Sequence, residues 1–212
     1  MLESFKKAII LAPHTDDGEL GLGGTICKMV EAGIEVYYVA FSTAEDSVPA
    51  GFAKNQLAVE VRNATKILGI KEENLIIYGY TVRKLNFARQ DILEKLIELR
   101  HKINPDLIFM PSLNDIHQDH KTVAEEGLRA FKNKTILGYE LIWNNLQFDT
   151  DCFISLEKRH VETKAFSLKE YKTQEGRAYM NEDFIYSLAK TRGVQIGVDF
   201  AEAFEVVRWC IK

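Results

Sequence analysis

The feature that most constrains this chain is an alternation. Short runs of apolar, β-branched and aromatic residues are each followed by a stretch whose apolar residues recur at helical spacing. Residues 8–13 read as a strand, 20–32 as a helix closed by Gly33, and 34–41 as a second strand. Leu57, Val61, Ala64 and Leu68 mark a second helix ending at Gly69. Residues 74–80, 106–111 and 136–143 continue the strand series, with helices over 87–103 and about 120–131. Strands separated by helices cannot pair as hairpins and join instead as parallel βαβ units. The expectation is a Rossmann-like α/β fold: a mostly parallel, doubly wound sheet with helices on both faces, forming a single domain over residues 1–212. After Thr150 the pattern is less regular, with a strand over 153–156, a helix over 161–171 and a β-rich segment over 197–209.

Composition narrows the function. Acidic residues (31) exceed basic ones (27), so a net charge of −4 offers nucleic acid or an anionic membrane no electrostatic attraction. No run approaches the ~18 apolar residues of a membrane span. The apolar run after Lys6 and Lys7 is shorter than the core of a signal peptide and ends in charge. Three cysteines, Cys27, Cys152 and Cys210, are odd in number and lack C-x-x-C spacing, which points to a reducing cytoplasm. The partner expected is a small molecule. Whether the chain acts alone or as a homo-oligomer is left open.

In doubly wound sheets ligands bind beyond the carboxyl ends of the strands, and two such places here are chemically loaded. After the first strand, Pro13-His14-Thr15-Asp16-Asp17-Gly18-Glu19 packs one imidazole and three carboxylates together. Adjacent carboxylates repel, and a cation resolves the repulsion; helix capping by Asp16 or Asp17 is the plainer explanation, but it leaves His14 unexplained. The glycines that follow lack the G-x-G-x-x-G order of a dinucleotide site and instead suit close approach of helix and strand. After the fourth strand, residues 114–120 hold two Asp and two His. Three of the five histidines, His14, His117 and His120, fall in these two segments. One His and one Asp from the first loop with one His from the second make the three-ligand set of a catalytic Zn²⁺. His101 reads as a helix C-terminal residue and His160 as a surface or helix-start residue, both outside the site.

The Pro-His-x-Asp-Asp stretch with its downstream Gly-Gly, followed about a hundred residues later by His-x-Asp-His, resembles the LmbE-like/PIG-L family of zinc-dependent N-acetylglucosamine deacetylases. Glu60-x-x-x-Ala64-x-x-x-Leu68-Gly69, Gln174 with Arg177 and Tyr179, and residues 201–208 extend the resemblance along the chain. It implies His14, Asp17 and His120 as zinc ligands, Asp16 as general base, His117 in protonated form as oxyanion stabiliser or proton donor, and Asp119 as the group that orients a histidine. The implied reaction is metal-assisted hydrolysis of the N-acetyl amide of an amino sugar, free, nucleotide-linked or glycosidic. Leu57 stands where the family commonly has a substrate-contacting Arg, with Arg62, Lys54 and Arg177 as candidates to replace it. Thr15 replaces the usual Pro, and Glu19 stands one position beyond the usual acidic residue. Loop 42–53 and segment 171–183 are the expected outer wall of the pocket. The alternatives are an amidase on a non-sugar N-acyl compound, a metal phosphoesterase and a non-enzymatic α/β binding domain.

Overall fold

Lys7–Ala12, strand β1, is apolar at every position after the lysine, and Ala8 through Ala12 are fully buried. Such a strand belongs in the middle of a sheet covered on both faces. A computed structural model describes residues 2–211; Met1 and Lys212, the ends of the expected domain, lie outside the described residues. After β1 come α1 (Asp17–Glu31), β2 (Glu35–Ala40), α2 (Gln56–Ile67), β3 (Leu75–Ile77), α3 (Arg89–Ile103), β4 (Leu107–Pro111), α4 (Gln118–Ala130) and β5 (Thr135–Tyr139). They are followed by β6 (Cys152–Leu156), α5 (Lys158–Leu168), α6 (Glu182–Gln195) and β7 (Phe200–Arg208).

Among the described residues the strands form one sheet in the order β3-β2-β1-β4-β5-β7-β6. β1 to β5 are mutually parallel, and β7 runs antiparallel between β5 and β6. The expected mostly parallel sheet with a β-containing C-terminal addition is therefore observed. Alternation along β1 divides the core: Ala8, Ile10 and Ala12 join the cluster under α1, α2 and α5, while Ile9 and Leu11 join the cluster under α3 and α4. The chain moves outward from β1 to β3 and then returns to place β4 on the other side of β1. The sheet thus has its switch point between β1 and β4, where the two loaded loops emerge side by side.

The glycines after Asp17 serve close approach. A Cβ at Gly18 would meet the Tyr38 ring at 2.5 Å, and one at Gly21 would meet Tyr139 at 2.4 Å. α1 also leaves helical geometry at Leu22 (φ −149°), and the N–H groups of Gly24 and Thr25 donate to the Glu202 carboxylate of β7 at 3.1 and 2.7 Å. Lys164 of α5 closes this connection with a buried 2.7 Å ion pair to Glu202.

Three sequence expectations need correction. The irregular region before residue 197 holds a helix, α6, that the sequence pattern does not announce, because only Ile185, Ala189 and Gly193 of its residues are buried and no apolar stripe marks it. The fifth strand ends at Tyr139, so Ile142 and Trp143 lie in the following loop rather than in the sheet. His160 is a helix-start residue, as expected, but it is buried: it sits in a reciprocal cap with Glu157, whose backbone N–H donates to its Nδ1 at 3.0 Å. Among the described residues, no helix is long and apolar enough to cross a membrane.

Glu202→Ala strands a buried ammonium and two helix N–H groups. It should lower unfolding free energy by about 3–5 kcal/mol, the scale for breaking a buried pair, as read from urea denaturation.

Candidate active site

The loop after β1 turns through bends at residues 13–16 and enters α1 at Asp17. Asp16 has near-helical backbone (φ −100°, ψ −9°), so the two aspartates do not diverge along an extended segment; they separate where the helix begins. Neither caps the helix in the plain sense. Asp16 makes no side-chain cap bond, and Asp17 Oδ2 accepts the N–H of His14 at 2.7 Å. Beyond β4, His117 caps α4, and Asp119 and His120 lie in its first turn.

These segments bring three atoms into a triangle. His14 Nδ1 lies 3.2 Å from Asp17 Oδ2, His120 Nε2 lies 3.3 Å from the same oxygen, and the two nitrogens are 3.2 Å apart. Tetrahedral coordination with bonds of about 2.0 Å has edges of about 3.3 Å, so one small divalent ion can touch all three. The far nitrogen of each ring is held by a carboxylate: His14 Nε2 donates to Asp119 Oδ2 at 3.0 Å and His120 Nδ1 to Asp115 Oδ2 at 2.7 Å. Since a carboxylate only accepts, each bond keeps a proton on the ring's far nitrogen and leaves the nitrogen facing the triangle as the one that can give up its proton to a metal. Asp119 also accepts the N–H groups of Arg83, at φ +64°, and Leu85, so the loop after β3 helps to hold it.

The electrostatics follow from this crowding. Burial opposes charge on His14 and His120, but the Asp17 carboxylate, with Asp119 and Asp115, outweighs it and holds them at about 9 and about 10. A cation entering the triangle must displace those protons, so binding strengthens as pH rises. Burial likewise opposes charge on Asp17, yet His120 and His14 keep its carboxyl well below the usual range. Burial and then the Asp17 charge push Asp16 up to about 6.

His117 differs from its neighbours. Its Nδ1 accepts the Asp119 N–H at 3.2 Å, and burial together with His120 and His14 lowers its pKa. A neutral ring with Nε2–H is therefore favoured over the protonated form expected from the resemblance. The nitrogens of His14, His117 and His120 lie within 4.8 Å of one another. The set containing Asp17 is nevertheless the tighter one, and the helix-cap bond occupies one nitrogen of His117.

The cluster opens into a cleft of about 310 Å³. Loop 42–53 contributes Ala44 and Ser47, and the later segment contributes Gln174, Arg177 and Tyr179. Of the three candidate cations to replace an arginine at the Leu57 position, Arg177 lines the cleft, as Leu57 itself does. Glu60 does not line it. Its buried carboxylate accepts the N–H and hydroxyl of Thr173 at 3.1 and 2.6 Å and so fixes the segment that carries Gln174. A larger hollow, about 720 Å³, lies among Arg100, Lys132 and Lys134 at the C-terminal ends of α3 and α4, where cations complement helix dipoles.

Glu19 is fully buried behind the loop. Tyr171 contacts Thr15 O at 2.7 Å and Glu19 at 2.8 Å; Tyr38 contacts Thr15 O at 2.9 Å and is also bonded to Glu19. Burial, only partly offset by these two hydroxyls, raises the Glu19 pKa to about 8.

A family model, PIG-L (GlcNAc-PI de-N-acetylase), matches residues 9–131, the span that contains His14, Asp16, Asp17, His117, Asp119 and His120. The chain belongs to the PIG-L family. Diacetylchitobiose deacetylase of Thermococcus kodakarensis is 29% identical over 133 residues, covering 59% of this chain and 49% of that protein. The chain thus spans about half the length of that relative. An uncharacterized deacetylase of Escherichia coli is 26% identical over 174 residues, covering 79% of this chain and 91% of that protein. In fold, the PIG-L chain is similar to N,N'-diacetylchitobiose deacetylase from Pyrococcus horikoshii, with TM-score 0.80 and 21% identity over 96% of this chain and 84% of that one.

Sequence reasoning assigned no role to Asp115, Trp143, Tyr38 or Tyr171. Asp115 was within view, two residues before His117; the others gave no signal short of the fold. If the triangle holds a divalent cation, Asp115→Asn should weaken its binding 10–100-fold, the scale for losing an orienting carboxylate, in a chelator competition titration. A raised carboxyl stabilises the fold in acid and loses that contribution as pH rises through about 8. Glu19→Gln should therefore keep the fold and flatten the thermal-stability decline between about pH 5 and 8.

Proposed function

We propose that this chain is a metal-dependent amide hydrolase that removes the acetyl group from an N-acetylated amino sugar, with Zn²⁺ held by His14, Asp17 and His120. The observation that carries the reading is the 3.2–3.3 Å triangle of two imidazole nitrogens and a carboxylate oxygen beside a second carboxylate, Asp16, at the floor of a cleft. The relatives' names support an N-acetylated sugar as substrate. A borderline ion that accepts nitrogen and oxygen donors at tetrahedral edge lengths favours zinc over calcium or magnesium. The three free cysteines support a reducing cytoplasm.

Bound zinc supplies Lewis acidity and brings the pKa of water toward about 7. Asp16, ionised above about pH 6, accepts the proton of the attacking water. His117, with Nδ1 committed to the Asp119 N–H, donates from Nε2 to the acyl oxygen as charge develops there. The proton collected on Asp16 passes to the departing nitrogen, since an amide anion is too basic to leave alone. Asp119 and Asp115 fix the rings of His14 and His120, so no ring has to turn during the reaction.

Leu20, Leu57 and Val82, which line the same cleft, favour, as a second reading, a non-sugar N-acyl amide; a screen of both classes for amine release separates them. Asp16→Ala should retain zinc by metal analysis and lose at least ~10²-fold in kcat, whereas His120→Ala should lose the metal. In the parent enzyme kcat should fall roughly tenfold per unit below about pH 6 as Asp16 takes up a proton. An Asp16→Ala enzyme that keeps both zinc and full rate overturns the assignment.

A further inference from the structure

The two carboxylates of the loop after β1 are held in different ways. Asp17 Oδ2 is fixed by both imidazoles and by the His14 N–H, whereas no other residue hydrogen-bonds the Asp16 carboxylate among the described residues. Where Asp16 places its oxygens is therefore set by the backbone that carries it. That backbone is clamped at both ends. The Tyr38 hydroxyl, from β2, lies 2.9 Å from the carbonyl oxygen of Thr15, whose peptide bond leads into Asp16. The same hydroxyl accepts the N–H of Gly18, whose peptide bond leads out of Asp17, at 3.1 Å. One oxygen atom thus spans the Asp16-Asp17 dipeptide. The Tyr171 hydroxyl, from the segment after α5, reaches the same Thr15 carbonyl at 2.7 Å.

Both tyrosines are buried, and both hydroxyls also contact Glu19, Tyr171 at 2.8 Å, so neither can swing aside without breaking a second bond. Gly18 shows how closely Tyr38 is inserted, since a Cβ there would meet its hydroxyl oxygen at 2.7 Å. Tyr171 is secured in turn by Glu60, which holds Thr173 two residues further on. A buried tyrosine needs only one partner for its hydroxyl. Tyr139, with a single 2.9 Å bond to Leu11 O, is that simpler case. Tyr38 and Tyr171 instead converge from distant elements on one carbonyl, the one that precedes Asp16.

We infer that Tyr38 and Tyr171 are positioning residues for the general base: they fix residues 15–18 and through them the Asp16 carboxylate, while Asp17 keeps its place through the imidazoles. The inference rests on the deacetylase reading for the role of Asp16.

The test compares Tyr38→Phe and Tyr171→Phe, each of which removes one oxygen and keeps the ring, with Tyr139→Phe as a buried-hydroxyl control, in the zinc-loaded full chain. Amine release is followed from N-acetylglucosamine and from its β-1,4-linked disaccharide. Each of the first two variants should lose about 10–100-fold in kcat, up to the scale of a catalytic group misplaced by about 1 Å, with KM and zinc affinity by chelator competition close to those of the parent. Tyr139→Phe should lose stability in urea to a similar extent and keep its kcat. A hydroxyl that serves only the fold would make kcat follow stability in all three. Amide hydrogen exchange of residues 15–18 supplies a readout without turnover, and it should quicken in Tyr38→Phe and Tyr171→Phe but not in Tyr139→Phe. Parental kcat in a folded variant, or unchanged exchange, overturns the role of that tyrosine, and either variant decides the matter if the other does not fold. A loss of zinc that matches the loss of rate also overturns it, because the clamp would then act on Asp17. Quickened exchange in the variants of a parent that releases amine from neither sugar refutes the deacetylase reading alone.

Discussion

The arrangement depends on one carboxylate oxygen. Asp17 Oδ2 stands between His14 Nδ1 and His120 Nε2, two rings whose residues are 106 positions apart, and accepts the His14 N–H as well. A buried carboxylate is costly unless it is met by charge or hydrogen bonds, and here the two imidazoles and the His14 N–H supply both. The same contacts that hold it in place present two nitrogens and one oxygen at the spacing of a single small cation. Stability of the loop and capacity for an ion therefore come from one geometry, made possible by the adjacency of β1 and β4 in the sheet.

Further buried acids connect that centre to the rest of the chain. Glu19 joins α1 to β2 and to the segment after α5 through Tyr38 and Tyr171, Glu60 joins α2 to Thr173, and Glu202 joins β7 to the kink of α1 and to Lys164. Each is satisfied by two or more partners, which is the condition for a polar group to strengthen an interior rather than weaken it. The PIG-L match ends at residue 131, with the His/Asp cluster inside it, whereas Trp143, Gln174, Arg177 and Tyr179 lie beyond it. The His/Asp cluster and these other residues lining the cleft thus come from different parts of the chain, joined by these buried carboxylates.

Much of the fold was legible because its signals are local. The fully apolar run of β1 and the helical spacing of Leu57, Val61, Ala64 and Leu68 each report burial of a surface by one element, and both elements form at those residues. α6 is silent in the sequence because it buries only a few small or aliphatic residues against β7, which leaves no periodic stripe to detect. The end of β5 is hard to place because Ile142 and Trp143 look like strand residues, although they follow the strand and Trp143 lines the cleft. In the site, the residue types and the pairing of two loops were readable, since adjacent carboxylates repel one another and imidazoles beside them supply the remaining donors for a cation. The orienting role of Asp115 and the neutral state of His117 were not, because each depends on which nitrogen a neighbour occupies.

The sequence by itself determined the alternation of strands and helices, and with it the parallel sheet and the two loaded strand ends, since periodicity and side-chain chemistry act between residues close along the chain. Tertiary structure alone decided that the loop after β1 and the loop after β4 meet across 3.2 Å, which carboxylate holds which ring, and that Trp143 faces Tyr179. Those outcomes are set by strand order and by competition among buried polar groups for a limited number of protons. Neither is written into any short stretch of residues.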